Sequence, residues 1–202
     1  MKGRRDAAEF AVLEHRARAE ARDDASGECG RLLRLAREDT PAAREALAAV
    51  LAQRGRPLWA LETASFSLGC AGDRRAFETL VFLLNHRDPV RGATAAHALA
   101  RLSDPRTARA AAVLATNELR TAYALHPVRL LTALSAPEAV PTLVELLARL
   151  LDRPGAPHPV VLACVEGLGR LGDARARPVL REAAGHHRLR AAAEAALART
   201  GA

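Results

Sequence analysis

The chain has no isoleucine, one methionine, one tryptophan and one tyrosine, and its aromatic residues reach only 3% of the total. β-branched and aromatic side chains are what a pleated, half-buried strand is built from, so there is little here to make a sheet. Cysteine is scarce as well. Cys29, Cys70 and Cys164 are odd in number, far apart and without CxxC or Cys/His finger spacing. That excludes a disulfide framework and predicts buried, reduced thiols in a cytoplasmic protein. No apolar run approaches the roughly 18 residues of a membrane span. No apolar stretch follows the residues 1–6, so neither secretion nor membrane insertion is expected. Motifs for chemistry are missing too: no GxSxG, P-loop or HExxH occurs, and the glycine pairs 69/72 and 169/172 belong to the repeat turn. His186 and His187 are adjacent and would point apart on a helix. The expectation is therefore no catalytic residue, no metal site and no cofactor.

Lysine is nearly absent, Lys2 being the only one among 30 basic residues, and the formal net charge is +7. The arginine excess accompanies alanine and leucine in the manner of GC-rich coding bias. The charge is thus weak support for a nucleic-acid partner, because net charge describes solubility and association rather than a site.

What is abundant is alanine, about a quarter of the residues against far less in ordinary proteins. Alanine has the highest helix propensity and lets helices approach closely. The expected class is all-α. Self-similarity gives this class an architecture. Gly72-Asp73, Ser103-Asp104, Ser135-Ala136 and Gly172-Asp173 occupy one turn, and the slot at Asp73, Asp104, Ala136 and Asp173 recurs after 31, 32 and 37 residues. Seven residues beyond each slot stand Leu80, Ala111, Leu143 and Leu180, and Thr40 with Leu47 adds an earlier copy. A small residue would end one helix in a left-handed C-cap. The Asp or Thr would then cap the next helix, and Pro41 and Pro105 stand at its first position, where a missing N–H costs nothing. Each copy reads as two helices folded back on each other, needing neighbours to bury its apolar face.

These turns resemble the short HEAT-like repeats of the phycobilin-lyase-related class. Pro89-Val90-Arg91 with Ala95, Ala98 and Leu99 is similar to the first helix of that repeat. The run from Leu168 through Gly172-Asp173 to Pro178-Val179-Leu180 is similar to its turn and second helix. The resemblance spans roughly 31–200 and implies a right-handed α-α superhelix, a solenoid of about five helix pairs plus terminal helices. It is specific for fold and nearly silent on function.

The spacing predicts a capping helix within 1–27, with Phe10, Leu13 and Ala17 on one face, and a solenoid over 28–202. Pairs are predicted at 28–38 with 41–54, 57–71 with 73–86, 89–102 with 105–117, 120–134 with 137–152, and 158–171 with 174–186. A lone helix over 188–199 would begin a sixth copy and could serve self-association. Pro127 should kink the helix over 120–134. A proline-rich insertion near 152–159 explains the longest spacing and reads as a surface loop or a hinge.

Second helices line the inner, concave face in such solenoids, and the helical period selects what they would show there. The candidate partner-binding residues are Arg75, Glu78, Phe82, His86, Arg106, Arg109, Glu145, Arg149, Arg175 and Glu182. Arg75, Arg106 and Arg175 share one slot and are expected to form a ladder, each bonding to a neighbouring repeat. With Glu45 and Glu138 the stripe holds as many carboxylates as guanidinium groups, which disfavours a phosphate-tracking groove. His97 falls in a slot filled by Phe66, Arg129 and Glu166 in other copies, and is expected to be partly exposed and not catalytic.

The function that follows is a non-catalytic scaffold that binds another protein in the cytoplasm. Two alternatives remain: a DNA-binding protein of the alkylpurine DNA glycosylase type, and a bilin lyase-like subunit. The first wants aromatic residues and an acidic residue in a cationic groove, whereas this chain has one tryptophan, Trp59, and one tyrosine, Tyr123, and a stripe with as many carboxylates as guanidinium groups. For the second, no residue identifies a bilin site.

Overall fold

In the computed structural model of the protein, residues 4–200 are described, and among them every regular element is helical. The helices are α1 (Arg4–Glu20), α2 (Glu28–Glu38), α3 (Pro41–Ala52), α4 (Leu58–Cys70), α5 (Phe77–Leu84) and α6 (Pro89–Leu102). They continue with α7 (Thr107–Thr116), α8 (Leu125–Leu134), α9 (Ala139–Leu151), α10 (His158–Leu171), α11 (Arg177–Gly185) and α12 (Arg190–Arg199). Short 3-10 segments run over Arg74–Ala76, Glu118–Tyr123 and Ala174–Ala176.

The recurring turn has one geometry. The residue before each slot is left-handed in all five copies: Asp39, Gly72, Ser103, Ser135 and Gly172 have φ of 50°, 80°, 54°, 49° and 69°. The slot residue then caps. Thr40 Oγ1 accepts from the Ala43 N–H at 3.1 Å. Asp73 Oδ1 accepts from the Arg75 N–H at 3.0 Å, and Asp173 Oδ1 from the Arg175 N–H at 2.8 Å. Side-chain oxygens thus occupy donors that the helix start leaves open. Ala136 has no such oxygen, and α9 begins without a side-chain cap.

The chain divides into two compact units, with the boundary between Pro105 and Arg106, in the turn of the third pair. In the first unit, α2 packs on α3 and α4 on α5, while α2, α4 and α6 lie side by side. In the second, α8, α10 and α12 form one row and α7, α9 and α11 another. The α12 helix takes the place of a further first helix, packed on both α10 and α11. This is a helical-repeat fold, and its register sets the core: Leu47, Leu80, Ala111, Leu143 and Leu180 are all at most 1% exposed.

Neighbouring first helices come unusually close where glycine replaces a larger residue. A Cβ on Gly69 would stand 2.8 Å from Leu80 Cδ1 and 3.1 Å from Ala98 Cβ. One on Gly169 would lie 2.7 Å from both Cα and Cβ of Ala196. The two glycines are equivalent in the repeat, and each admits the next first helix.

The start of α8 and the setting of Pro127 depart from the sequence reading. The helix expected over 120–134 starts only at Leu125, because Glu118–Tyr123 is a 3-10 segment interrupted at Arg120 (φ −129°, ψ 22°). Pro127 therefore falls in the first turn of α8, where its missing N–H has no intrahelical acceptor to lose, and it kinks nothing. The proline-rich segment after α9 is an exposed turn with Gly155 at φ 73°, and it lies within the second unit.

Replacing Leu80, Leu143 or Leu180 with alanine should cost about 2–5 kcal/mol by opening a cavity. Urea denaturation reads this directly, and a loss below roughly 0.5 kcal/mol would place these side chains outside the core.

Candidate functional site

Each residue chosen for the second-helix stripe lies outside the core. Arg75, Glu78 and Phe82 are exposed in the first unit, while Arg106, Arg109, Glu145, Arg175 and Glu182 are exposed in the second. His86 and Arg149 are half-buried. Phe82 is 54% exposed, so its ring does not tuck between helices.

Arg75 makes a cross-repeat rung of the expected arginine ladder. Arg75 forks between Asp73 at 2.6 Å, in its own turn, and Glu45 on α3 at 2.8 and 2.9 Å. Its hydrogen bonds hold both carboxyls below their ordinary range and raise its own pKa. Arg175 instead folds onto its own capping carboxylate, 2.7 Å from Asp173 Oδ2. Arg149 makes a different strut, reaching Glu118 at 3.1 Å and the Thr116 carbonyl at 3.0 Å. The His86 ring turns inward on its own loop, where Nδ1 accepts from the Asp88 N–H at 3.1 Å.

A second site is buried, and the sequence reading did not find it. Helix α1 lies across α4 and also meets α2 and α6. Phe10, Leu13 and Ala17 face inward as expected, each at most 2% exposed, and the Phe10 ring sits 6.1 Å from Phe66. Polar groups flank this stripe at both ends. Toward the end of α1, Glu62 on α4 is only 3% exposed and accepts from Arg16, from Arg91 Nη1 at 2.7 Å and from Thr94 Oγ1 at 2.8 Å. Arg91 also bonds Glu20, so two carboxylates and two guanidinium groups join α1, α4 and α6. Arg16 Nε and Nη1 remain buried without a hydrogen-bond partner among the described residues.

At the other end Asp6, 3% exposed, lies 2.7 Å from His97 Nε2 and 3.6 Å from Arg101 Nε. The His97 ring stacks on Phe66, with centroids 5.9 Å apart and planes at 16°. His97 is half-buried, with 10% of its side chain exposed, whereas Arg129 and Glu166 in the same slot of the second unit are exposed. Cys70, the last residue of α4, completes the group. One ligand atom from each of Asp6, Cys70 and His97 lies within 4.8 Å of the others. Burial pushes the Cys70 thiol up to about 12. At neutral pH it stays protonated and is a poor nucleophile, but the trio offers a sulfur, a nitrogen and an oxygen to one point. Sequence spacing could not reveal it, since the three residues come from three helices and no pair stands at a local ligand spacing.

Replacing Arg91 with alanine would leave Glu62 short of a partner in the interior. The expected loss is about 3–5 kcal/mol, the usual consequence of breaking a buried pair, and thermal or urea denaturation would measure it. Asp173 gives a gentler test. Arg175 holds its carboxyl down at about 2. A depressed carboxyl adds stability above its ordinary pKa of about 4 and loses it as the pH falls through its folded value. Carbon-13 titration should find the Asp173 midpoint near 2 and an upward move in Arg175→Ala.

No helix among the described residues is long and apolar enough to cross a membrane. A scan against protein-family models finds no match for the chain, and no curated protein matches it.

Proposed function

We propose that the protein is a non-catalytic scaffold of HEAT-like repeats that binds another protein in the cytoplasm through its second helices. The observation that carries this reading is Phe82. A large aromatic side chain left 54% exposed on a short helix is unfavourable unless something covers it, and aromatic anchors are what protein interfaces concentrate their energy in. Around it stand Glu78 and the Arg75–Glu45 pair, so the surroundings are charged but balanced. Arg106, Arg109, Glu145, Arg149, Arg175 and Glu182 give the second helices of the other unit the same mixture.

The partner that fits is a protein surface bearing both signs of charge and an apolar recess for the ring. A phosphate backbone fits less well, because interleaved carboxylates oppose the counterion release that drives such binding.

Crosslinking and affinity purification from the native host tests this with two variants, Phe82→Ala and Glu78→Arg. Phe82→Ala should weaken the captured partner roughly 30-fold, the loss typical of an interface hot spot, without lowering the melting temperature. Retention of every captured protein by both variants would sink the reading. So would tight, salt-sensitive binding of duplex DNA.

A further inference from the structure

We propose that Asp6, Cys70 and His97 form a binding site for a zinc-type divalent ion, one that ties helix α1 to helices α4 and α6. The three side chains contribute a carboxylate oxygen, a sulfur and a ring nitrogen, and these atoms lie within 4.8 Å of one another. Around a tetrahedral zinc, with bonds of about 2.0–2.3 Å, neighbouring ligand atoms stand roughly 3.5 Å apart. The group is thus within about an ångström of ligation, a distance that side-chain rotation covers without moving a helix.

Chemistry selects the ion. Thiolate and imidazole together favour zinc and its neighbours over magnesium or calcium, which prefer all-oxygen cages. Charge favours it as well: a divalent ion with one thiolate and one carboxylate leaves a neutral site, which the buried setting of Asp6 requires. On binding, Cys70 gives its thiol proton to solvent, and the Nε2 proton that His97 donates to Asp6 is exchanged through solvent for one on Nδ1, which frees the Nε2 lone pair for the metal. Arg101, 3.6 Å from Asp6 and half exposed, is free to swing outward as the ion takes over the carboxylate. Phe66 stacks on the imidazole and limits its rotation. The fourth position has no protein donor in this trio and is left to water.

The site would clamp the end of α1 opposite the Arg16–Glu62–Arg91 network. Ligands from three helices make binding equivalent to a cross-link of the folded state, so the ion stabilises the docked helix by mass action.

Titration of the purified full chain with Co2+ tests this, because thiolate ligation gives a near-ultraviolet charge-transfer band and tetrahedral geometry gives strong visible absorption. The expected result is one ion per chain, both signals lost in Cys70→Ser and both kept in a Cys29→Ser, Cys164→Ser double variant. Asp6→Asn should weaken binding while circular dichroism shows each variant folded. Zn2+ should displace Co2+ and slow tryptic cleavage after Arg16 and Arg18 in the parent chain but not in Cys70→Ser. Absence of the charge-transfer band overturns the site, as does a band that survives Cys70→Ser. Zinc binding that leaves tryptic cleavage of α1 unchanged overturns the clamp.

Discussion

A left-handed residue that ends one helix, followed at once by a side chain that caps the next, leaves almost no loop between them. The second helix must then run back along the first. Asp39-Thr40 turns α3 back onto α2 and Gly72-Asp73 turns α5 back onto α4, and Ser103, Ser135 and Gly172 repeat the left-handed residue, with φ near 50–80° throughout. Everything else follows from that short reversal. It fixes which face of the second helix returns to the first, and so it places Leu47, Leu80, Ala111, Leu143 and Leu180 at equivalent depths. Non-glycine residues in this conformation carry a backbone cost of about 1 kcal/mol or more. Asp39, Ser103 and Ser135 bear that cost because the packing beyond the turn depends on it.

Alanine and glycine then set the spacing between repeats. Gly69 against Ala98 and Gly169 against Ala196 bring successive first helices closer than a leucine seam would allow. The same choice explains the scarcity of aromatics. Large rings have few places in a row of closely spaced helices, and Phe66 is buried where α1 adds a further layer above it.

This distinction also separates what was legible in the sequence from what was not. Turn, cap and the residue seven positions on are local, repeated and chemically constrained, so most helix pairs could be read from the chain to within a few residues. The outward stripe was legible for the same reason: a helical period fixes which residues leave the core. Pro127 misled because proline inside a helix-like pattern ordinarily means a kink, whereas a 3-10 segment ended just before it. The buried site under α1 was illegible because α1 is not part of the repeat. Asp6 meets His97 across 91 residues and Arg16 meets Glu62 across 46, so no window of sequence contains either pair. His97 was expected to be partly exposed because its slot accepts residues as different as Phe66, Arg129 and Glu166, and the pairing with Asp6 of α1 was not visible from that pattern.

Why α1 is held by charges at all has a physical answer. An apolar stripe of Phe10, Leu13 and Ala17 would hold a helix against α4, but such a stripe tolerates sliding by one turn, about 5.4 Å, with modest loss. Buried ionic pairs do not. A one-turn shift would separate Asp6 from His97 and Arg16 from Glu62 together, leaving several charges in the interior without partners, each costing kilocalories rather than tenths. The two polar ends therefore act as a register lock, a role for which buried ionic groups are better suited than for adding stability. The unpaired Arg16 Nε and Nη1 show that this lock is not optimised for energy. A fixed register matters here because it is what holds Asp6 beside Cys70 and His97, three residues that the repeat alone would never bring to one point.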